Sequence, residues 1–165
     1  MNESDFKKAR SLALKLLTIC QKSQRDIEDK LKTKGFDKDV VSMAVEDLKG
    51  LGLIDDRVYA LELARSKIKN RLWGINKVKC VLAEKGVQKE VIEDIVSEIR
   101  KEFDDEAVIK KALKKWAEKN RVGGAKDKAR AFRHLLSKGF QTSLVYKVLN
   151  NYYKDRGEIL TDDSI

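Results

Sequence analysis

"LAEKGVQKEVI", residues 82–92, is the stretch whose reading decides the fold. Its Lys85-Gly86 pair has the chemistry of a helix end. A lysine suits the negative end of the helix dipole, and a glycine takes the left-handed conformation just past the last turn. Helix resumes directly afterwards, with Val91, Ile92, Ile95, Val96 and Ile99 on one face. The same pattern stands at "LKTKGFDKDVV" (31–41) and "LLSKGFQTSLV" (135–145): leucine, two variable residues, Lys-Gly, an apolar residue, three polar residues, two apolar ones. The glycines Gly35, Gly86 and Gly139 lie 51 and 53 residues apart. The register continues past them, with Val45, Val96 and Leu149 ten residues on and Leu48, Ile99 and Tyr152 thirteen on.

Working back from Gly86, residues 56–72 carry apolar side chains at 58, 61, 64, 68 and 72, close to the helical period. A short helix from Ile75 to about Lys85 follows, and then the helix from about Gln88 to Ile99. Each period is therefore three helices. Three such helices bury little alone, so repeats stack on one another. The expected fold is all-α: three tandem three-helix repeats stacked into an elongated, curved array. The repeats are expected at 1–53, 54–102 and 103–155, with a frayed tail at 156–165. The third is longer than the second, with the extra residues placed around "NRVGG" (120–124).

The composition agrees. There is no proline, and charged residues make up 38% of the 165-residue chain against 42% apolar. No apolar run approaches the roughly 18 residues of a membrane span. The early acids of "MNESDFKKARSLALKLL" do not fit a secretory signal. A cytoplasmic monomer is expected. Cys20 and Cys80 read as free thiols and small apolar fillers within helical patterns.

The adjacent carboxylates of "LKGLGLIDDRVYA" (48–60) raise the question of catalysis. Asp55-Asp56 has a counterpart in Asp104-Asp105, and Asp5 stands at the matching place in the first repeat. Aspartate at each helix start is what capping and the helix dipole favour. The catalytic reading lacks partners: there is one histidine, His134, no phosphate-binding glycine loop and no Cys/His metal spacing. Asp55, Asp56, Asp104 and Asp105, with Gly35, Gly86 and Gly139, are expected to be structural caps. No catalytic residue, cofactor or metal is expected. His134 reads as structural.

The net charge is +9, and it is segregated. Residues 65–79 hold six cations and no acid: Arg65, Lys67, Lys69, Arg71, Lys77 and Lys79. Residues 110–147 hold twelve Lys/Arg against two acids, Glu118 and Asp127. Such segregation marks a surface for phosphate or for an acidic protein face. The candidate partner-binding residues are those six together with Lys110, Lys111, Lys114, Lys115, Arg121, Lys126, Lys128, Arg130 and Arg133. Lys110, Lys111, Lys114 and Lys115 form one continuous stripe on a helical wheel, and Trp116 falls with the apolar residues on the other side. Trp73 reads either as core or as a platform for bases.

Three stretches resemble the RecX family. They are "SQRDIEDKLKTKGF" (23–36), "GLIDDRVYA" (52–60) and "ARSKIKNRLWGINKVKCVLAEKGV" (64–87). "AFRHLLSKGF" (131–140) extends the likeness into the third repeat. Ile75 stands where that family often has proline, and Ile27 where leucine is common. The resemblance implies a row of three-helix repeats. It also implies a non-enzymatic regulator that binds RecA–DNA filaments and inhibits the recombinase and its ATPase, in DNA repair and recombination. The partner expected on that basis is the RecA filament, with single- or double-stranded DNA engaged through the basic patches. The alternative reading is a stand-alone DNA-binding protein of tandem helix-turn-helix-like units, acting without RecA.

Overall fold

The structure, a computed structural model, describes residues 3–120 and 123–155. These form nine helices and no strand. The first three are α1 (Glu3–Ile19), α2 (Gln24–Thr33) and α3 (Lys38–Gly50). The next are α4 (Asp56–Arg71), α5 (Ile75–Glu84) and α6 (Lys89–Glu102). The last are α7 (Asp105–Ala117), α8 (Gly124–Ser137) and α9 (Thr142–Asp155). The Lys-Gly pairs end α2, α5 and α8, with Gly35, Gly86 and Gly139 at φ 86°, 80° and 83°. The Gly139 amide donates to Leu136 O at 2.8 Å, closing carbonyls that α8 would otherwise leave open.

The chain divides into two compact units: residues 1–63 with 82–95, and residues 64–81 with 96–165. Each unit thus holds one terminal repeat together with part of the middle one.

In the first unit α1, α2 and α3 pack on one another. Ala9, Ala13, Ile27, Leu31, Val41, Ala44 and Leu48 are almost wholly buried, with Phe6, Leu12 and Phe36 against them. Each larger aliphatic side chain so buried contributes about 1.5–3 kcal/mol. In the second unit α7, α8 and α9 pack pairwise. Ile109, Leu113, Leu135, Val145 and Leu149 fill that core.

The apolar face expected on α4 holds at Leu61, Ala64 and Ile68, but Val58 is 44% exposed. At 100° per residue Val58 lies roughly 90° from the middle of the face that Leu61, Ala64 and Ile68 share, so it points away from that face. The cysteines also differ from expectation: Cys20 and Cys80 are both exposed free thiols, so neither is a core filler. Cys20 lies just past the end of α1 and Cys80 on the outer side of α5, away from the buried Val78 and Leu82. Among the described residues no helix is long and apolar enough to cross a membrane.

Candidate functional site

The paired aspartates separate into two roles. Asp55 Oδ1 accepts the amides of Arg57 at 2.9 Å and Val58 at 3.0 Å, capping its own helix α4. Asp56 caps a different helix: its Oδ1 accepts the Gln24 amide at 2.7 Å, at the start of α2. Ser23, fully buried, caps that same helix end through Oγ, which accepts the Asp26 amide at 3.1 Å. Lys85 Nζ donates to both Asp26 oxygens, at 3.0 and 3.3 Å. The Asp26 hydrogen bond raises the Lys85 pKa. Burial first, and then the Asp26 carboxylate, raise that of the Tyr59 phenol. "GLIDDRVYA" therefore joins α2, α4 and the turn after α5 within the first unit. It is a structural joint.

In the third repeat Asp104 is the cap, with Oδ1 accepting the Glu106 amide at 3.0 Å. Asp105 is the first residue of α7, half-buried, and burial raises its pKa. Among the described residues no group of three or more His, Cys, Asp or Glu could hold a metal.

The candidate partner-binding residues all belong to the second unit. That unit carries 22 Lys and Arg against 11 Asp and Glu, whereas the first carries 14 against 16. Several of these cations already have acidic partners. Arg65 reaches Glu98 at 3.2 Å and Glu102, through its Nε, at 3.0 Å. Lys110 and Lys147 converge on Glu106 at 2.8 and 2.7 Å, which lowers the Glu106 pKa to about 2. Arg130 pairs with Asp127 at 3.2 Å, and Arg133 folds back onto Ala129 O. Lys69 lies 5.8 Å from the Phe103 ring centre. Lys111, Lys114, Lys115 and Lys126 are exposed, and Lys79 is half-buried.

Lys128 departs from expectation. It is only 7% exposed, on the face of α8 that also carries Ala131 and Leu135. Spacings of three and seven residues put it on the core side, where its methylene stem is covered. It is not a surface residue for a partner. Arg121 lies outside the described residues.

The two basic runs meet in space around Trp73. The Lys67 and Lys77 ammonium groups stand 5.2 and 4.9 Å from the centre of its ring. Lys77 Nζ donates to Ser137 O at 2.9 Å, and Lys138 Nζ to Arg71 O at 2.7 Å. Burial lowers the Lys138 pKa, and Lys77, Lys115 and Arg71 lower it further. The backbones meet as well: the Gly74 amide donates to Lys138 O at 2.8 Å and the Asn76 amide to Gly139 O at 3.2 Å. The positive end of α5 thus rests on the negative end of α8. Trp116 is half-buried, its ring centre 6.3 Å from that of His134. Burial, with Lys138 nearby, lowers the His134 pKa. Lys138 belongs to the basic run of residues 110–147 but is not among the candidate partner-binding residues taken from sequence.

Family models for RecX match the chain three times. The first three-helix domain matches residues 9–48, the second 55–95 and the third 103–149. The chain belongs to the RecX family. It is 32% identical over 161 residues to the regulatory protein RecX of Clostridium perfringens, covering 94% of this chain and 75% of that one. It is 31% identical to the RecX of Prosthecochloris aestuarii, over 91% of this chain and 97% of the relative. The crystal structure of RecX from Lactobacillus salivarius matches with a TM-score of 0.77 at 22% identity, over 91% and 97% of the two chains. A second crystal structure, of a regulatory protein RecX, matches at 0.78 and 27% identity, over 89% of this chain and 72% of the other. The RecX relatives are named as regulatory proteins, and the three-domain organisation is the one expected from the Lys-Gly repeat.

Proposed function

We propose that this chain is a non-enzymatic, cytoplasmic regulator of the RecA recombinase. It acts as a monomer that binds RecA–DNA filaments and restrains strand exchange and ATP hydrolysis. The observation that carries this reading is the concentration of cationic charge in one compact unit of a RecX-family chain. A filament of nucleic acid and protein presents a dense negative potential, which draws such a surface by long-range attraction. The exposed lysines of α7, above all Lys111 and Lys114, form the outer part of that surface.

The test is co-sedimentation with RecA filaments and with bare single-stranded DNA at matched salt, alongside inhibition of strand exchange. Binding to filaments in salt that abolishes binding to bare DNA supports the proposal. Equal salt-sensitive binding to both, with strand exchange unaffected, points to a stand-alone DNA-binding protein instead.

A further inference from the structure

We propose that the acidic segment 156–165 of this chain docks on the exposed lysines of α7, Lys111 and Lys114, as a built-in competitor for that surface. Its consequence, restraint of filament binding, rests on the function proposed above; the contact itself does not.

Three features argue for the contact. The first is charge. Residues 156–165, which lie outside the described residues, carry Glu158, Asp162 and Asp163 against Arg156 alone. They hold three of the eleven acids of the unit that carries 22 cations. The positive potential of such a unit draws a covalently attached acidic segment as it draws any anion.

The second feature is the surface. Lys110 is held by Glu106 at 2.8 Å. Lys111 and Lys114 are exposed, and neither has a carboxylate partner among the described residues. The opposite face of α7, with Ile109, Ala112 and Leu113, is in the core and keeps these two lysines turned outward. A lysine in water needs no partner, so this feature only leaves the stripe open.

The third feature, where the chain leaves the fold, decides what reaches it. α9 packs on α7, and Lys147 Nζ reaches Glu106 at 2.7 Å. Eight residues on, Asp155 ends α9 within electrostatic range of Lys110. Glu106 raises the Lys110 pKa, chiefly through its hydrogen bond, and Asp104 and Asp155 raise it further. The two helices thus advance in the same sense, and α9 ends beside Lys110. Lys114 lies one turn further along α7, about 6 Å. Asp162 is seven residues beyond Asp155, a reach of up to about 25 Å, so its carboxylate meets that turn with slack. A tether this short sets an effective concentration on the order of 1 mM, which lets weak surface pairs act together. The segment and a partner of negative potential therefore compete for one stripe.

The test is zero-length cross-linking of carboxylates to lysines by a water-soluble carbodiimide, with no recombinase present. The full chain is used as an equal mixture of unlabelled and nitrogen-15-labelled copies, in about 20 mM sodium chloride, where exposed charges are least screened. Glu106 joined to Lys110 or Lys147 serves as the internal control, since those groups already touch. The expected products join Asp162 or Asp163 to Lys111 or Lys114 within one isotopic copy, and they fade at about 300 mM salt. In the second arm, full-length Glu158→Gln, Asp162→Asn, Asp163→Asn is compared with the parent in co-sedimentation with RecA filaments. The variant is expected to bind about threefold or more tightly at low salt, with the ratio approaching one at about 300 mM.

Control cross-links without those of the segment overturn the contact. Segment cross-links to other lysines, such as Lys154 or Lys138, overturn its placement on α7, and products of mixed isotope overturn a contact within one chain. A variant that binds filaments no more tightly than a binding parent overturns the restraint. The expected cross-links in a chain that binds no filament, as parent or variant, keep the contact and remove the filament reading.

Discussion

Glycines that look interchangeable in the repeat differ at the residue scale. Gly35 and Gly139 both follow a lysine, and both have φ above 80°. A Cβ at Gly35 meets nothing within 4 Å, whereas one at Gly139 comes within 2.4 Å of the Lys77 backbone nitrogen. Gly35→Ala should cost only the left-handed penalty, about 1–2 kcal/mol. Gly139→Ala adds a backbone collision and should cost about 3 kcal/mol or more. Urea unfolding of the two variants checks the order, and equal losses would refute the close approach. The aspartates differ similarly. Asp55→Ala and Asp56→Ala should each cost about 0.5–2 kcal/mol as lost caps. The loss at Asp55 should speed amide exchange at Arg57 and Val58, and that at Asp56 at Gln24, 32 residues away.

At the scale of the helix, α7 has one face in the core and one in water. Ile109, Ala112 and Leu113 are buried, while Lys111 and Lys114 are exposed. Lys111→Glu with Lys114→Glu should leave melting nearly unchanged, since exposed substitutions cost about 0.5 kcal/mol or less. The pair should slow association with RecA filaments and flatten its salt dependence. Inhibition of strand exchange over a salt series is the measurement, and full inhibition by the folded variant would show that the stripe is only solvated. Glu106 ties α7 to α9, accepting from Lys110 and Lys147. Its pKa falls from 4.5 to about 2 in the fold, so its contribution is complete above about pH 4.5 and is lost as pH drops toward 2. Glu106→Gln should therefore be less stable than the parent at pH 7, and the gap should close across that acid window. Thermal melts at pH 7, 4 and 2.5 test this, and a gap that stays constant would sink it.

For the whole molecule, charge is divided unequally between the two compact units. The cation-rich unit repels itself, and added salt screens repulsion between exposed charges with a Debye length of about 10 Å at 0.1 M. Raising sodium chloride from about 20 to 300 mM should raise Tm by about 2–4 °C, the equivalent of about 1 kcal/mol for a chain of this size. Sodium chloride that lowered Tm would show that ion pairs such as Arg65 with Glu98 and Glu102 outweigh the repulsion.

What the sequence determined by itself was whatever local rules enforce. Lys34-Gly35, Lys85-Gly86 and Lys138-Gly139 end helices because glycine reaches positive φ cheaply. The apolar spacing of Ile92, Ile95, Val96 and Ile99 marks a buried face because a helix turns through 100° per residue. Both facts are written within a few residues. What only the tertiary structure decided depends on residues far apart in the chain. Asp56 and Asp55 are chemically alike, yet one caps a helix that begins 32 residues earlier. Lys128 stands in a basic run, yet core packing covers its stem. Lys138 meets the backbone of Arg71 across 67 residues. No local propensity encodes such a meeting. It is set by which helix ends are left with open amides and carbonyls, and by which other ends packing brings near enough to satisfy them.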